Sequence, residues 1–494
     1  MNNQILKTLS RQLDAIETSM DIQVENKKII FRTIHPSQVL SAQNLIHYLT
    51  LRSLEIRSMQ HTLHELGLSS LASSESHIKC QIQAIQQRVG KKYTEPQLSI
   101  CTYNWSKNDL KTKSVALFGH KKNDILPYVM VTFDVYFAIY YTQIKNLLLN
   151  GMNVARINCA HDDETVWSQM ILKLKKASAK TGIPCKIYMD LAGPKIRTII
   201  LNKGAKKGCV KVEEEEWIWF AESKVGFNKK DIVLHPNKPR IIDALKIGDR
   251  VFIDDGIIEA EVQKIKHGKA WLRITRISSD KKHIKEAKGI NFPDSDINIP
   301  SLTEYDIAVL PFVCKHADMI GYSFIRDHND LTFLAEKIKE NEGKKPNVII
   351  KIETPDAVIN LPKLLIEGMK SKNFGVMIAR GDLAVEIGFE RMSETQEEIL
   401  WICEAAHTPV IWATQVLESM NKSGVATRSE ITDAVKAGHA ECVLINKGTH
   451  TIVVMETLQD IMQRTSEHRS KKRFIFRPLK IAQKFISEGN REII

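Results

Sequence analysis

The sequence predicts an α/β protein, a (β/α)8 TIM barrel with a small β-barrel lid inserted into it and a helical region before it. Three observations support this prediction: eight short apolar segments from about residue 127 onward, helical segments between them, and one β-rich interruption. The eight segments are apolar almost throughout, which indicates strands buried on both faces, as in a parallel sheet. They are residues 128–133, 153–160, 186–193, 318–325, 347–353, 374–380, 409–415 and 441–447.

The number of strands favours a closed barrel over the alternative, an open doubly wound sheet. A closed α/β barrel has eight parallel strands, and no GxGxxG turn follows an early strand here, as it would in a dinucleotide-binding open sheet. The helices between the strands carry start signals. Ser393 with Gln396, and Thr427 with Glu430, each fit a capping box.

The β-rich interruption lies between Thr198 and about Ile290 and contains VKVEEEEWIWF, DRVFIDDGIIEAEVQKI and KAWLRITRI, with glycines at the turns. We interpret it as a small antiparallel β domain inserted after the third barrel strand. It leaves the carboxyl end of that strand, where barrel active sites lie, so it is placed to act as a lid.

The first part of the chain reads as a helical hairpin or small bundle. Apolar residues recur at helical spacing, and Gly67 is placed to end one helix; they are Leu45, Leu49, Ile56, Met59, Leu63 and Leu66, then Ile78, Ile82, Ile85 and Val89. We predict a packing role for this region. The predicted domains are residues 1–120 (N-terminal helical region), 121–197 with 291–466 (barrel), 198–290 (lid) and 467–494 (C-terminal tail).

Composition limits the classes of function. The 494 residues are 43% hydrophobic and 26% charged, which suits a globular protein of two or three domains. The eight cysteines show no CxxC or zinc-finger spacing, so we expect neither disulfides nor a zinc site, and a cytoplasmic location. The net charge of +12 is dispersed and no aromatic-interleaved basic motif occurs, so we expect no nucleic acid partner. No apolar run approaches the length of a membrane span, so we expect no membrane contact.

Polar and charged residues gather where the predicted strands end. In a barrel these ends meet at one rim, so several such residues indicate a site rather than isolated ion pairs. The rim residues are Arg156, Asn158 and His161; Asp190, Lys195 and Arg197; Lys351 and Glu353; Arg380 and Asp382; and Thr414 and Gln415.

The chemistry of these residues is coherent. Glu353 and Asp382 offer two hard oxygen ligands, which suit Mg²⁺ (or Mn²⁺) that keeps water and substrate oxygens. Arg156, Arg197 and Lys351 supply positive charge for a phosphoryl group or an enolate. Backbone N–H groups of Gly381 and Asp382 are placed to bind a carboxylate. The sequence therefore predicts a metal site for a small, doubly anionic substrate.

Several motifs resemble those of pyruvate kinases: GMNVARINCAH, MDLAGPKIRT, FIDDGII, KGINFP, SFIR, KIETPDA, ARGDLAVEI, and WATQVLESM with TRSE, in the family's order. The resemblance covers residues 127 to about 466. It implies transfer of the phosphoryl group of phosphoenolpyruvate to ADP, giving pyruvate and ATP, with Mg²⁺ as cofactor. We also expect a homo-oligomer.

The resemblance also implies roles for individual residues. Arg156 and Lys351 would contact the transferring phosphoryl group, with Lys351 also stabilising the enolate, and Glu353 and Asp382 would hold Mg²⁺. Further assignments are Arg197 as a phosphate-side arginine, Thr414 as a residue near the enolate carbon, and Gly381, Asp382, Arg156, Asn158 and Thr414 as substrate-binding residues.

The monovalent-cation region of the family corresponds to Asn158, Asp190 and Lys195. An acid stands at the position of Lys195 in potassium-dependent members. A fixed ammonium in its place resembles potassium-independent members, so we expect that K⁺ is not required.

The chain departs from the family pattern at two strands. The first strand is followed by TFDVYFAIYYTQ rather than a TIGP-like turn near the nucleotide, and the last continues as INKGTHT rather than an SGET-like sequence. Only a short basic tail follows the last barrel helix, so we expect the regulatory domain to be absent. Two alternatives therefore stay open: a phosphoenolpyruvate or pyruvate lyase or aldolase without a nucleotide, and a catalytically impaired sensor or interaction protein.

Overall fold

A computed structural model describes residues 3–466, except 122, 124–125 and 279–281, and two short strands beyond them, Arg469–Ser470 and Arg473–Phe474. The rest of the predicted C-terminal tail lies outside the described residues. Among the residues described, no helix combines the length and apolar content needed to cross a membrane.

Eight parallel strands form a closed barrel, which confirms the predicted fold class. Each strand pairs with its neighbours in the chain, and β1 closes the barrel on β8, with Tyr128 opposite Cys442. The strands are β1 (Tyr128–Thr132), β2 (Met152–Asn158), β3 (Lys186–Asp190), β4 (Met319–Tyr322), β5 (Asn347–Ile352), β6 (Phe374–Ala379), β7 (Val410–Ala413) and β8 (Cys442–Ile445).

Helices follow the barrel strands and cover them. They are Val135–Ile139, Tyr141–Leu149, Glu164–Thr181, Glu304–His316, His328–Glu340, Pro355–Ile359, Leu361–Gly368, Arg380–Ile387, Met392–Ala405, Glu418–Ser423, Arg428–Ala437 and Thr451–Ser466. The predicted capping box of Thr427 and Glu430 is confirmed. The one at Ser393 is wrong, because the helix begins at Met392, directly after the 3-10 turn Phe389–Arg391, and has no side-chain cap.

The N-terminal region is helical, as predicted, and packs against the barrel. Its helices are Asn3–Asn26, Lys28–Phe31, Val39–Arg52, Arg57–Glu65, Ile78–Arg88 and Tyr103–Phe118. Gly67, with φ of 66°, follows the fourth of these helices, where the Leu68 N–H donates to the Leu63 carbonyl at 2.8 Å. This is the glycine-terminated helix end that the sequence predicts.

The contact between the N-terminal region and the barrel is both polar and apolar. Asn44 Nδ2 donates to the Ala405 carbonyl at 2.8 Å, and buried His407 binds Ser41 Oγ at 2.9 Å. Leu117 and Phe118, at the end of the last N-terminal helix, join the cluster of buried side chains inside the barrel. The helical region therefore supplies part of the barrel core.

The insertion forms the predicted β domain. A seven-stranded sheet has the order Ile290–Asn291, Arg250–Ile253, Ile258–Lys266, Lys269–Ile277, Trp217–Phe220, Ile232–Pro236 and Thr198–Ile200, and a two-stranded ribbon pairs His283–Lys285 with Cys209–Lys211. One short helix, Ile241–Ala244, belongs to it. The sheet is mixed rather than wholly antiparallel, because Trp217–Phe220 and Ile232–Pro236 pair in parallel. Its two edges approach each other through a bridge between Arg197 and Gly289.

Candidate active site at the carboxyl ends of the barrel strands

A buried salt bridge joins the carboxyl ends of β2 and β3. Arg156 Nη2 and Nε donate to Asp190 Oδ2 at 2.6 and 3.0 Å, and Arg156 Nη1 donates to Thr132 Oγ1 at 3.1 Å. The hydroxyl of Tyr188 donates to Asp190 Oδ1 at 3.2 Å. Burial raises the pKa of Asp190, but the charges of Lys351 and Arg156 outweigh it and leave the pKa lowered. Asp190 is therefore held as a carboxylate among cations.

Lys351, at the end of β5, places its ammonium at the centre of the rim. Its Nζ lies 3.2 Å from Asp190 Oδ1 and 3.0 Å from Glu353 Oε1, and it donates to Ser323 Oγ at 2.7 Å. Burial lowers the pKa of Lys351, but Asp190 and Glu353 outweigh burial and raise it. The side chain is only 10% exposed, so water screens its charge weakly and its interactions with neighbouring charges are strong.

Glu353 and Asp382 fit the predicted metal site by their chemistry. Burial raises the pKa of Glu353, the Lys351 charge opposes this, and the neighbouring carboxylates of Asp382 and Asp190 raise it further. The Phe324 N–H donates to Glu353 Oε2 at 2.7 Å and fixes the carboxylate. Within the described residues no group of three or more His, Cys, Asp or Glu side chains is arranged to hold a metal ion. Two carboxylates suit Mg²⁺, which retains water and substrate oxygens.

Lys195 connects this rim to the lid. Its Nζ donates to Asp382 at 2.8 and 3.1 Å and lies 3.6 Å from Asp255 of the lid. A second contact joins Asn291 Nδ2 to Glu386 Oε1 at 2.7 Å. Burial raises the pKa of Glu386 to about 7, which the hydrogen bond from Asn291 opposes and the charge of Asp382 reinforces. The lid is therefore held against the helix that carries Asp382.

Thr414 and Gly381 lie side by side on the rim. A Cβ placed on Gly381 would come within 3.3 Å of Thr414 Oγ1, so the Thr414 hydroxyl faces the backbone beside Asp382. Arg380 Nη2 donates to the Thr414 carbonyl. The predicted residues of β6 and β7 are thus brought together.

Two other predicted residues make their contacts with neighbouring loops. Asn158 Oδ1 accepts from the Ala160 N–H at 3.1 Å. Arg197 Nη1 donates to the Ala287 carbonyl at 3.0 Å, in the strand-edge contact of the lid. The charge of Arg197 is nevertheless one cause of the lowered pKa of His161, after burial and Lys447. The ligand contacts expected of Asn158 and Arg197 therefore stay predictions.

Sequence reasoning did not single out Ser323, Tyr188 or Gly321. Ser323 Oγ accepts from Lys351 and donates to the Leu191 carbonyl at 2.7 Å. Gly321 leaves the space in which Tyr188 reaches Asp190, because a Cβ there would lie 1.9 Å from the Tyr188 hydroxyl. Ser323 belongs to the SFIR motif, which was the signal that could have identified it.

A closed barrel whose strand ends gather carboxylates and buried cations at one rim, with an inserted β domain attached there, is typical of barrel enzymes. Comparison with known proteins is more specific. The family model for the pyruvate kinase barrel domain matches residues 137–451. The chain belongs to the pyruvate kinase family.

Curated relatives agree with this assignment. The chain is 30% identical over 338 residues to a pyruvate kinase of Geobacillus stearothermophilus, covering 66% of this chain and 55% of that protein. It is 31% identical over 306 residues to the enzyme of Dictyostelium discoideum, covering 61% of this chain and 58% of that protein. The chain therefore spans about half the length of the curated relatives it matches.

Proposed function

We propose that this protein transfers the phosphoryl group of phosphoenolpyruvate to ADP, giving pyruvate and ATP, with Mg²⁺ bound by Glu353 and Asp382. The observation that carries the proposal is the Lys351 ammonium, buried between Asp190 and Glu353 at the mouth of the barrel. A fixed cation at this place suits a reaction whose transition state spreads negative charge over the phosphoryl oxygens and the enolate.

We assign the following roles to the residues of the rim. Arg156, oriented by Asp190 and Thr132, would bind the phosphoryl group, and Lys351 would face the bridging oxygen as it becomes an enolate. Mg²⁺, held by Glu353 and Asp382, would supply further neutralisation of negative charge. Asp190 holds both cations in place, so positioning and charge account for most of the catalysis.

The second half of the reaction requires a proton at the enolate carbon. A C–H bond forms there while the enolate oxygen becomes the carbonyl of pyruvate, and the donor must lose its proton at the same time. The Thr414 hydroxyl, beside Gly381, is the group we assign to orient that donor.

The direct test measures pyruvate formation by coupling it to the oxidation of NADH by lactate dehydrogenase. We expect turnover that depends on phosphoenolpyruvate, ADP and Mg²⁺ together. Absence of turnover under these conditions, with a correctly folded protein, would refute the proposed function.

The proposed metal site predicts a specific loss of binding. Replacing Asp382 by Asn removes one of two anionic ligands, and we expect Mn²⁺, followed by electron paramagnetic resonance as a probe for Mg²⁺, to bind about 10-fold or more weakly. Asp460→Asn is the matched control, because Asp460 is an exposed residue of the last barrel helix that pairs with Arg464 at 2.8 Å. Equal Mn²⁺ affinity in the two variants would contradict the assignment.

We also propose that turnover does not require K⁺, because Lys195 stands where the potassium-dependent members of the family have an acid. Its ammonium is held by Asp382 at 2.8 Å. Replacing KCl by tetramethylammonium chloride at the same ionic strength should leave the rate within about 2-fold, since the salt then acts only by screening. The Lys195→Glu variant should become dependent on K⁺. A strict requirement for K⁺ in the unaltered protein would overturn this part of the proposal.

One observation favours a second candidate, a phosphoenolpyruvate or pyruvate lyase or aldolase without a nucleotide. Directly after β1, Asp134 caps a helix that begins at Val135, where a TIGP-like turn was expected near the nucleotide. Calorimetric titration with ADP separates the two candidates. Binding of ADP supports the kinase, and its absence together with cleavage of a carbon–carbon bond supports the lyase.

A further inference from the structure

Arg380 and Asp433 form an ion pair beside the proposed active site that the roles above do not use. We propose that this pair positions Thr414 for proton transfer to the enolate carbon, an assignment that rests on the proposed function. Both residues would act through Thr414 rather than by touching the substrate, and they would be positioning residues.

The guanidinium of Arg380 is held in a defined orientation. Arg380 donates through both Nη atoms to the two oxygens of Asp433, with Nη2 at 2.8 Å from Oδ2. The same Nη2 also donates to the carbonyl oxygen of Thr414. A bidentate ion pair of this kind fixes orientation as well as distance. The guanidinium therefore holds the Thr414 carbonyl in a defined position.

Arg380 also packs against an aromatic ring of β7. Its guanidinium lies 4.7 Å from the ring centroid of Trp412, two residues before Thr414 in the chain. The Trp412 side chain is fully buried and the Arg380 side chain is 11% exposed. Arg380 therefore contacts the end of β7 at two points, the Trp412 ring and the Thr414 carbonyl.

Asp433 is itself held in place by its helix. It lies on the helix Arg428–Ala437, whose start is fixed by the Thr427–Glu430 capping box. Glu430 also accepts from the Ser419 N–H at 2.6 Å, which ties this helix to the segment that follows β7. Asp433 is thus a fixed point against which Arg380 is oriented.

The Arg380–Asp433 pair lies next to the residues to which we assign the reaction. Arg380 immediately precedes Gly381 and Asp382, and Gly381 faces the Thr414 hydroxyl. The Arg380 fork therefore sets the position of the Thr414 hydroxyl relative to the strand end that carries the proposed metal ligand. Errors of about 1 Å in such positioning cost roughly 10²-fold in rate.

The test uses two substitutions that keep the size of each side chain close to the original. Arg380→Lys retains the charge but loses the fork, and Asp433→Asn retains the shape but loses the charge. The measurements are kcat and KM for pyruvate formation, exchange of the methyl protons of pyruvate in D₂O by proton NMR, Mn²⁺ affinity and the melting temperature. The matched control is Lys436→Gln, because Lys436 lies on the same helix as Asp433 and pairs with Glu397 of the helix Met392–Ala405 at 2.6 Å.

We expect both variants to lose about 10-fold to 10²-fold in kcat and in the rate of methyl proton exchange. Mn²⁺ affinity and the KM for phosphoenolpyruvate should stay within 2-fold of the unaltered protein, as should all parameters of Lys436→Gln. Because both residues act through one group, the double variant should be little worse than either single variant.

Three results would overturn the assignment. They are unchanged proton exchange in both variants, a parallel loss of Mn²⁺ affinity, and a drop in melting temperature that fully accounts for lost activity. An unaltered protein that binds Mn²⁺ but shows no turnover would refute the proposed function, and this assignment with it. An active unaltered protein with fully active Arg380→Lys and Asp433→Asn variants would refute the positioning role alone.

Discussion

The Lys351→Met variant is expected to lose about 10³-fold or more in kcat for pyruvate formation. Methionine fills nearly the same volume but brings no charge, so under the proposed mechanism the phosphoryl group and the developing enolate would lose a fixed cation. The carboxylates of Asp190 and Glu353, 3.2 and 3.0 Å from Nζ, also lose their shared partner. Steady-state assays with coupled detection of pyruvate measure the effect.

The free energy of unfolding must be measured for the same variant, because removing one partner of a buried ion pair lowers it by about 3 kcal/mol or more. Thermal unfolding with and without Mn²⁺ separates this loss from the catalytic one. Lys186→Met is the matched control: Lys186 lies at the opposite end of the barrel, on β3, and pairs with Asp318 at 3.4 Å. A Lys351→Met variant that keeps a tenth of the original kcat would contradict the proposed mechanism.

The sequence was sufficient to predict the barrel, because the signals that define a barrel are local and repeated. Each of the eight apolar segments is short and buried on both faces, and each became a strand of the closed sheet. Pairing direction is not a local signal, which is why the parallel pairing of Trp217–Phe220 with Ile232–Pro236 inside the lid was not foreseen. The path of the chain between two strands decides their relative direction.

The N-terminal region shows a similar limit. Apolar residues at helical spacing predicted the helices, but periodicity does not say what a helix packs against. Leu117 and Phe118 reach the interior of the barrel, next to residues such as Tyr128 and Met377. This contact depends on the closed barrel as a whole, so it cannot be predicted from any one stretch of the sequence.

The candidate site was predictable in its location and only partly in its contacts. Strand ends in a barrel share one rim, so charges at those ends were expected to meet. The partner of each charge could not be predicted in the same way, because the partners are far apart in the sequence. Asp190 binds Arg156, 34 residues away, and Lys351, 161 residues away. Ser323 was missed because a serine carries no charge signal, although it accepts from Lys351 at 2.7 Å.

The Gly321→Ala variant is expected to combine a loss of stability with a loss of activity. An added Cβ would lie 1.9 Å from the Tyr188 hydroxyl and 2.5 Å from Asp190 Oδ1, closer than any such contact tolerates. Tyr188 and Asp190 are both buried, so neither can swing into solvent, and the backbone or both side chains must shift. Overpacking of this kind costs about 1–3 kcal/mol.

The activity should fall further than the stability alone explains, because Asp190 orients both Arg156 and Lys351. We expect about 10²-fold lower kcat from the resulting misplacement of these cations. Gly375→Ala is the matched control, since its Cβ would press on Ile349 Cδ1 at 2.9 Å and Leu117 Cδ1 at 3.1 Å, near the start of β6. Both variants should melt at lower temperature, and only Gly321→Ala should lose kcat at a temperature where both are folded. Equal kcat in the two folded variants would show that Gly321 serves packing alone.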